Sequence, residues 1–231
     1  MIQVTPRTYI MRLLKAWALW GIVGIFVLGW VGTRDSGHVE ILPGSTVVVS
    51  ATGTYAPAFG AYSALTVQVK SLRVVDYVAA WVVHRHIVPA VAGVDPTKQY
   101  QDALKNEVLA ASLVVGRAAP PASLSDPSVV GPSAGLAMAL TSVDAAGAGD
   151  LTGGHAVAAT GEITSTGHVL AVGDVDLKIK EARQNDAKVV FVPAGQVPQQ
   201  LPAGITVVPV SSLTAAVHWL CANGAKDAVC T

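Results

Sequence analysis

The sequence predicts an α/β domain preceded by a single transmembrane helix. Three observations predict it. A run without a charged residue extends from Ala16 to Gly32. From residue 131 onwards, β-branched apolar runs alternate with stretches of helical periodicity, the pattern of a partly parallel sheet with helices on its faces. The composition, 52% hydrophobic and only 13% charged over 231 residues, excludes intrinsic disorder for most of the chain. Lys plus Arg and Asp plus Glu each number 15, so the formal net charge is zero, which argues against a nucleic-acid binder.

The uncharged run comes first. As a helix its 17 residues rise about 26 Å, and Leu13 and Leu14 lengthen it towards the ~30 Å of a bilayer core. Trp17 and Trp20 stand near one end and Trp30 near the other, where amphipathic rings favour the membrane interface. Arg7, Arg12 and Lys15 precede the run, whereas Arg34 and Asp35 behind it cancel. The expected layout is therefore a cytoplasmic N-terminus at 1–12, a membrane helix at 13–33 and an extracytoplasmic body, a single-pass protein of the cell membrane. A cleaved signal peptide fits less well, because the exit Gly29-Trp30-Val31-Gly32-Thr33 holds a bulky Trp and no small-x-small site.

The N-terminal extracytoplasmic region is expected at 34–117. Glycines and prolines across 35–60 frame one short strand at Thr46–Val49. Leu65 to Val69 alternates as a half-buried strand. Val74 to Ile87 is expected to be a helix ended by Pro89, and Asp95-Pro96 to open a second helix over Thr97–Gly116, with Leu104, Val108, Ala111 and Val115 on one stripe. A proline-rich connector follows at 118–130. In the segment 131–222, a small-residue helix to about Ala145 precedes strands at His155–Ile163 and His168–Val172. A helix at Asp174–Asn185, strands at Lys188–Val192 and Ile205–Val210, and a last helix capped by Ser211 complete it, leaving a tail at 223–231.

Two residues point to chemistry. Ser133 follows Gly131-Pro132 at the first turn of a helix and precedes Ala134-Gly135. Small neighbours let a substrate approach its hydroxyl, and backbone N–H groups at a helix start can hold an oxyanion, although serine is also an ordinary helix cap. Lys178 shares a helical stripe with Val175, Ile179 and Ala182, whereas Lys180 lies on the polar face with Asp176 as an i,i+4 partner. A lysine on an inward stripe either snorkels or loses its proton by desolvation, and a neutral amine can serve as base towards a serine hydroxyl. Thr160, in Ala159-Thr160-Gly161-Glu162, supplies a third hydroxyl between the two segments, and is otherwise a plain β-branched strand residue.

Three blocks carry a family resemblance: Gly131-Pro132-Ser133-Ala134-Gly135-Leu136-Ala137-Met138, Thr160-Gly161-Glu162-Ile163-Thr164, and Val169-Leu170 through Gly173 and Lys178 to Pro193. In this order and spacing, residues 131–193 resemble the proteolytic domain of Lon proteases. The resemblance implies the α+β fold of that domain and a Ser-Lys dyad, with Ser133 as nucleophile, Lys178 as general base and Thr160 supporting the amine. The layout is similar to membrane-bound Lon-like peptidases, but the connector leaves no room for the PDZ domain of ~90 residues that those carry. Asp174 stands where the family has a second glycine.

The sequence holds no G-x-x-x-x-G-K-[ST] phosphate loop, so no cofactor and no ATP-driven unfolding are expected. The implied function is an ATP-independent serine endopeptidase acting on flexible or unfolded protein segments, possible as a homo-oligomer by family resemblance. The alternative is a Lon-like interaction module of the envelope without turnover, and a hydrolase of small esters or amides is a third reading. Cys221 and Cys230, nine apart, are expected to pair as a disulfide rather than to bind metal, for which no ligand set is seen. His84 and His86 flank Arg85 at an expected helix end, where cations are favoured. His155 and His168 each begin an expected strand and read as rim residues.

Overall fold

The computed structural model of the protein describes residue 25 and residues 27–51, 61–91, 96–129, 131–147 and 149–231. Among these residues no helix is long and apolar enough to cross a membrane. Residues 27–32 are helical. At 1.5 Å per residue they rise about 9 Å, well short of a ~30 Å hydrocarbon core. The rest of the expected span, residues 13–24 and 26, lies outside the described residues, as does the expected cytoplasmic segment 1–12. The expected preceding transmembrane helix is therefore corrected, and the single-pass membrane location falls with it.

The chain divides into two compact units, one of residues up to Leu42 with Val69–Ala92, the other of Pro43–Gln68 with Gly93–Thr231. In the smaller unit the first part of strand β1 (Asp35–Ala51) pairs antiparallel with β3 (Ile87–Pro89), matching Val39 to Val88. Helix α1 (Val74–Val82) ends earlier than expected, because His84 turns into the left-handed region at φ 54° and Ile87 joins the sheet. Arg85 closes the helix end with its backbone, its N–H donating to Ala80 O at 3.0 Å, and its side chain has a separate partner. It donates to the buried Glu40 carboxylate at 3.1 Å.

The larger unit is built on a sheet in which the later part of β1 lies beside the start of β2 (Ala61–Arg73), followed by β5 (Ala156–Ala159), β8 (Val189–Pro193) and β9 (Thr206–Val210). From β2 to β9 the pairs are parallel: Tyr62 opposes Val157, Ala158 opposes Val190, and Val190 opposes Val207. Every residue of β8 is buried, as expected of a parallel strand covered on both faces. On one face Val157, Ala159, Val189 and Phe191 pack with helices α2 (Pro96–Val115), α3 (Gly135–Ala146) and α5 (Leu213–Ala222). On the other, Leu65, Ala158, Val190 and Val192 pack with α4 (Val175–Gln184). Helix α3 is buried along nearly its whole length, in keeping with its mostly apolar composition, and its polar Thr141, Ser142 and Asp144 are buried too.

Three local expectations are revised. The short strand at Thr46–Val49 is the middle of the 17-residue β1, because Gly44 does not turn the chain. Its missing side chain lets Thr66 approach: a Cβ there would lie 2.4 Å from the Thr66 carbonyl oxygen, and the Thr66 hydroxyl donates to Ser45 O at 2.8 Å. The connector contains strand β4 (Ala122–Leu124), paired antiparallel with the end of β1. The last helix is capped by Ser212, not Ser211, its hydroxyl accepting from Ala215 N.

Candidate active site

The site is assembled where β5 ends. Beyond Ala159 the Thr160 N–H still donates to Phe191 O at 3.0 Å, so the strand end is fixed to β8. The next peptide holds the turn that carries Ser133. Gly161 N donates to Ser133 O at 2.9 Å, the Thr160 hydroxyl donates to the same carbonyl at 3.3 Å, and Leu136 N donates back to Gly161 O at 3.0 Å. Ser133 is thus held by its backbone, which leaves its hydroxyl uncommitted to positioning the turn.

The local sequence explains the shape of this turn. Gly131 has φ +114°, a backbone conformation that a side chain opposes, and the space beside it is open. Pro132 sets the first position of a 3-10 turn (Pro132–Ala134) that runs into α3. A Cβ on Gly135 would come within 3.1 Å of Ile163, in the strand β6 (Glu162–Ile163). Small residues therefore press the turn against β6, whose partner is β7 (Val169–Leu170). Ser133 stays half-buried while the residues after it are buried, so the turn offers this residue towards solvent. The N–H groups of Ser133 and Ala134 stand at the open start of the helix, ahead of the Gly135 N–H that bonds Pro132 O.

Lys178 lies on α4. The chain enters this helix through Asp174, which adopts the left-handed conformation at φ 56° without a side-chain cap, and Lys178 N donates to Asp174 O at 3.1 Å. Val175, Ile179 and Ala182 face the sheet, and Lys178 is buried beside them at 2% exposure, whereas Lys180 is exposed. Burial pushes the Lys178 amine down from 10.5 to about 8, against the opposing pull of the Asp174 charge. A sizeable neutral fraction therefore exists in mildly alkaline solution.

The structure joins Ser133 to Thr160 directly. Ala158, two residues before Thr160, packs in the cluster that α4 forms with the sheet. Among the described residues no hydrogen bond joins the Lys178 amine to Ser133 or Thr160. Cys221 and Cys230 form a disulfide with Cα atoms 5.4 Å apart that links the tail to the last turns of α5. His155 and His168 are exposed. Among the described residues no group of three or more His, Cys, Asp or Glu is placed to hold a metal ion.

Sequence reasoning overlooks Glu107. It is fully buried on α2, which packs against both α3 and the turn of Ser133. Its carboxylate accepts from Ala122 N at 3.1 Å and from the Ser142 hydroxyl at 2.8 Å. Burial raises it from 4.5 to about 7, against the lowering effect of those two bonds. The signal was present: Glu107 interrupts an inward stripe of Ala103, Ala110 and Ala111, as Lys178 interrupts the stripe of α4.

Comparison with known proteins bears on the same part of the chain. Residues 126–221 match the model of the Lon protease (S16) C-terminal proteolytic domain. Over 88 residues, 36% of this chain, the sequence is 34% identical to a Lon protease of Mesomycoplasma hyopneumoniae (strain 232), and the match spans 10% of that relative.

Proposed function

We propose, from the premise that residues 126–221 are a domain of the Lon protease proteolytic family, that this chain is a serine peptidase working through Ser133 and Lys178. The observation that carries the reading is the frame around the strand end. One strand terminus holds the Ser133 turn by its carbonyl through Gly161 N and the Thr160 hydroxyl, and Lys178 is desolvated on the helix that packs against Ala158 of the same strand. In the proposed reaction the neutral Lys178 amine takes the proton of the Ser133 hydroxyl as its oxygen attacks the peptide carbonyl. The Ser133 and Ala134 N–H groups receive the oxyanion. The ammonium of Lys178 then returns a proton to the leaving amine as the C–N bond breaks, and water hydrolyses the acyl-enzyme with Lys178 again as base. The Thr160 hydroxyl orients the amine.

The 231 residues supply no phosphate loop, and we assign to them ATP-independent cleavage of flexible or unfolded protein segments. The test is cleavage of an unstructured reporter protein by the full chain without ATP, beside Ser133→Ala, Lys178→Ala and Lys180→Ala. Wild type and Lys180→Ala are expected to cut, and the other two to lose activity by at least a thousandfold, the scale of losing a nucleophile or its base. The lack of a Ser133–Lys178 hydrogen bond favours a second reading, a Lon-like binding module without turnover. Folded wild type as silent as Ser133→Ala decides for it.

A further inference from the structure

We propose that Gln196 is a positioning residue for Lys178, its side-chain amide indexing the start of α4 to the strand ends that hold Thr160 and Ser133. The inference rests on the dyad reading above. The Gln196 amide treats Val172 as a strand neighbour would: Val172 N donates to Oε1 at 2.9 Å, and Nε2 donates to Val172 O at 2.8 Å. One side chain thereby takes both backbone groups of a residue 24 positions away, two residues before Asp174 and six before Lys178.

The need for such a clamp follows from how α4 is otherwise attached. Val175, Ile179 and Ala182 hold it to the sheet by apolar contact, which is non-directional and resists sliding weakly. Its first turn has no side-chain cap, and its entry residue Asp174 sits in a left-handed conformation that costs energy for a non-glycine residue. Near its far end Arg183 donates to Ala203 O at 2.8 Å, and Gln196 supplies directed bonds just ahead of its start. It is itself anchored, since Gln196 N donates to Pro193 O at 3.1 Å and Ala194 N to Val210 O at 2.9 Å, both at the ends of β8 and β9. Phe191 of the same β8 accepts from Thr160 N. The path from Thr160 through β8 to Gln196, Val172, Asp174 and Lys178 is thus one of consecutive hydrogen bonds and short chain segments. Both halves of the dyad take their position from the same strand ends.

The experiment uses the full chain with Gln196→Ala and Gln196→Glu, and Gln199→Ala as an exposed control. Two readouts are followed against pH: kcat and KM on the reporter, and the reactivity of the Lys178 amine towards an amine-acylating reagent, mapped by peptide mass. Gln196→Ala is expected to lower kcat by tenfold or more with KM nearly unchanged, the scale of sub-ångström to ångström misplacement. It is also expected to shift Lys178 reactivity to higher pH, because a loosened helix start admits water to the amine. Gln196→Glu keeps the acceptor but not the donor, and falls between Ala and wild type. Gln199→Ala matches wild type. The inference is overturned if Lys178→Ala is inactive while Gln196→Ala keeps both the wild-type kcat and reactivity profile. It is equally overturned if Gln196→Ala and Gln196→Glu lose activity with no shift in Lys178 reactivity, which marks a merely structural residue. Retained activity in Lys178→Ala overturns the dyad itself. Should Gln196→Ala not fold, Gln196→Glu carries the same comparison.

Discussion

Replacing Lys178 by methionine is expected to stabilise the protein at neutral pH while abolishing the proposed activity. The folded state holds the amine at about 8, against 10.5 for an unperturbed lysine. The difference of about 2.5 units corresponds to about 3 kcal/mol by which folding opposes the charged form. The folded pKa lies below the unfolded one, so between pH 8 and 10.5 the unfolded chain binds more protons and wild-type stability rises with pH. Below pH 8 the whole cost is present. Methionine keeps the length and apolar stem of the side chain and carries no charge to desolvate, so the gain at pH 7 approaches about 3 kcal/mol as an upper limit, or roughly 6–12 °C in Tm for a chain of this size. The assay is urea unfolding of wild type, Lys178→Met and the exposed control Lys180→Met from pH 7 to 10.5. The two stability curves of wild type and Lys178→Met should converge as pH rises, and Lys180→Met should track wild type. Curves for Lys178→Met and wild type that stay parallel across this range refute the claim that α4 buries a reluctant amine.

Glu107→Gln preserves both hydrogen bonds, since the amide accepts from Ala122 N and donates to the Ser142 hydroxyl. Its folded pKa is raised from 4.5 to about 7, so wild type loses stability as pH climbs through that interval while the variant does not, a gap of about 3 kcal/mol at pH 8 read by thermal melts. Asp174→Gly removes a left-handed aspartate worth about 1 kcal/mol of strain and the charge that holds the Lys178 amine up. Above about pH 9, where the folded amine is already neutral, melting should rise slightly, and the acid limb of the pH–kcat/KM profile should move to lower pH. Gly44→Val places a branched side chain 2.4 Å from the Thr66 carbonyl and is expected to cost several kcal/mol, or to prevent folding, measured by urea unfolding. Cys230→Ser opens a disulfide spanning nine positions and is expected to lower stability by about 2–3 kcal/mol in non-reducing buffer, with no difference from wild type once dithiothreitol is present.

What could be read from the sequence divides along a physical line. Features set by side-chain periodicity over one segment were legible. The continuous apolar run of β8 requires cover on both faces, and the inward place of Lys178 follows from the helical spacing of Val175, Ile179 and Ala182. Features set by a partner distant in sequence were not. Pro43-Gly44 has the composition of a turn, yet Gly44 lies in a strand because Thr66 needs the room. β4 is three residues long, too short for any pattern, and exists because the end of β1 offers it a register. The helix after Val74 stops at Val82 rather than before Pro89, because Ile87 is claimed by Glu40 across the sheet. The apolar run near the N-terminus had the composition of a membrane span, but composition sets only what a helix would tolerate, and the described helical stretch is a few residues long. The site shows both sides of this line. Ser133 and Lys178 stand out because each breaks a local pattern, a serine among small residues and a charge on an apolar stripe. Gln196 breaks none. A polar residue after a strand is unremarkable in sequence, and only its reach to Val172 gives it a role. Residues that would do the chemistry are thus easier to read than those that hold them in place, since a reacting group must sit in an environment that works against it, while a positioning group needs only the right neighbour.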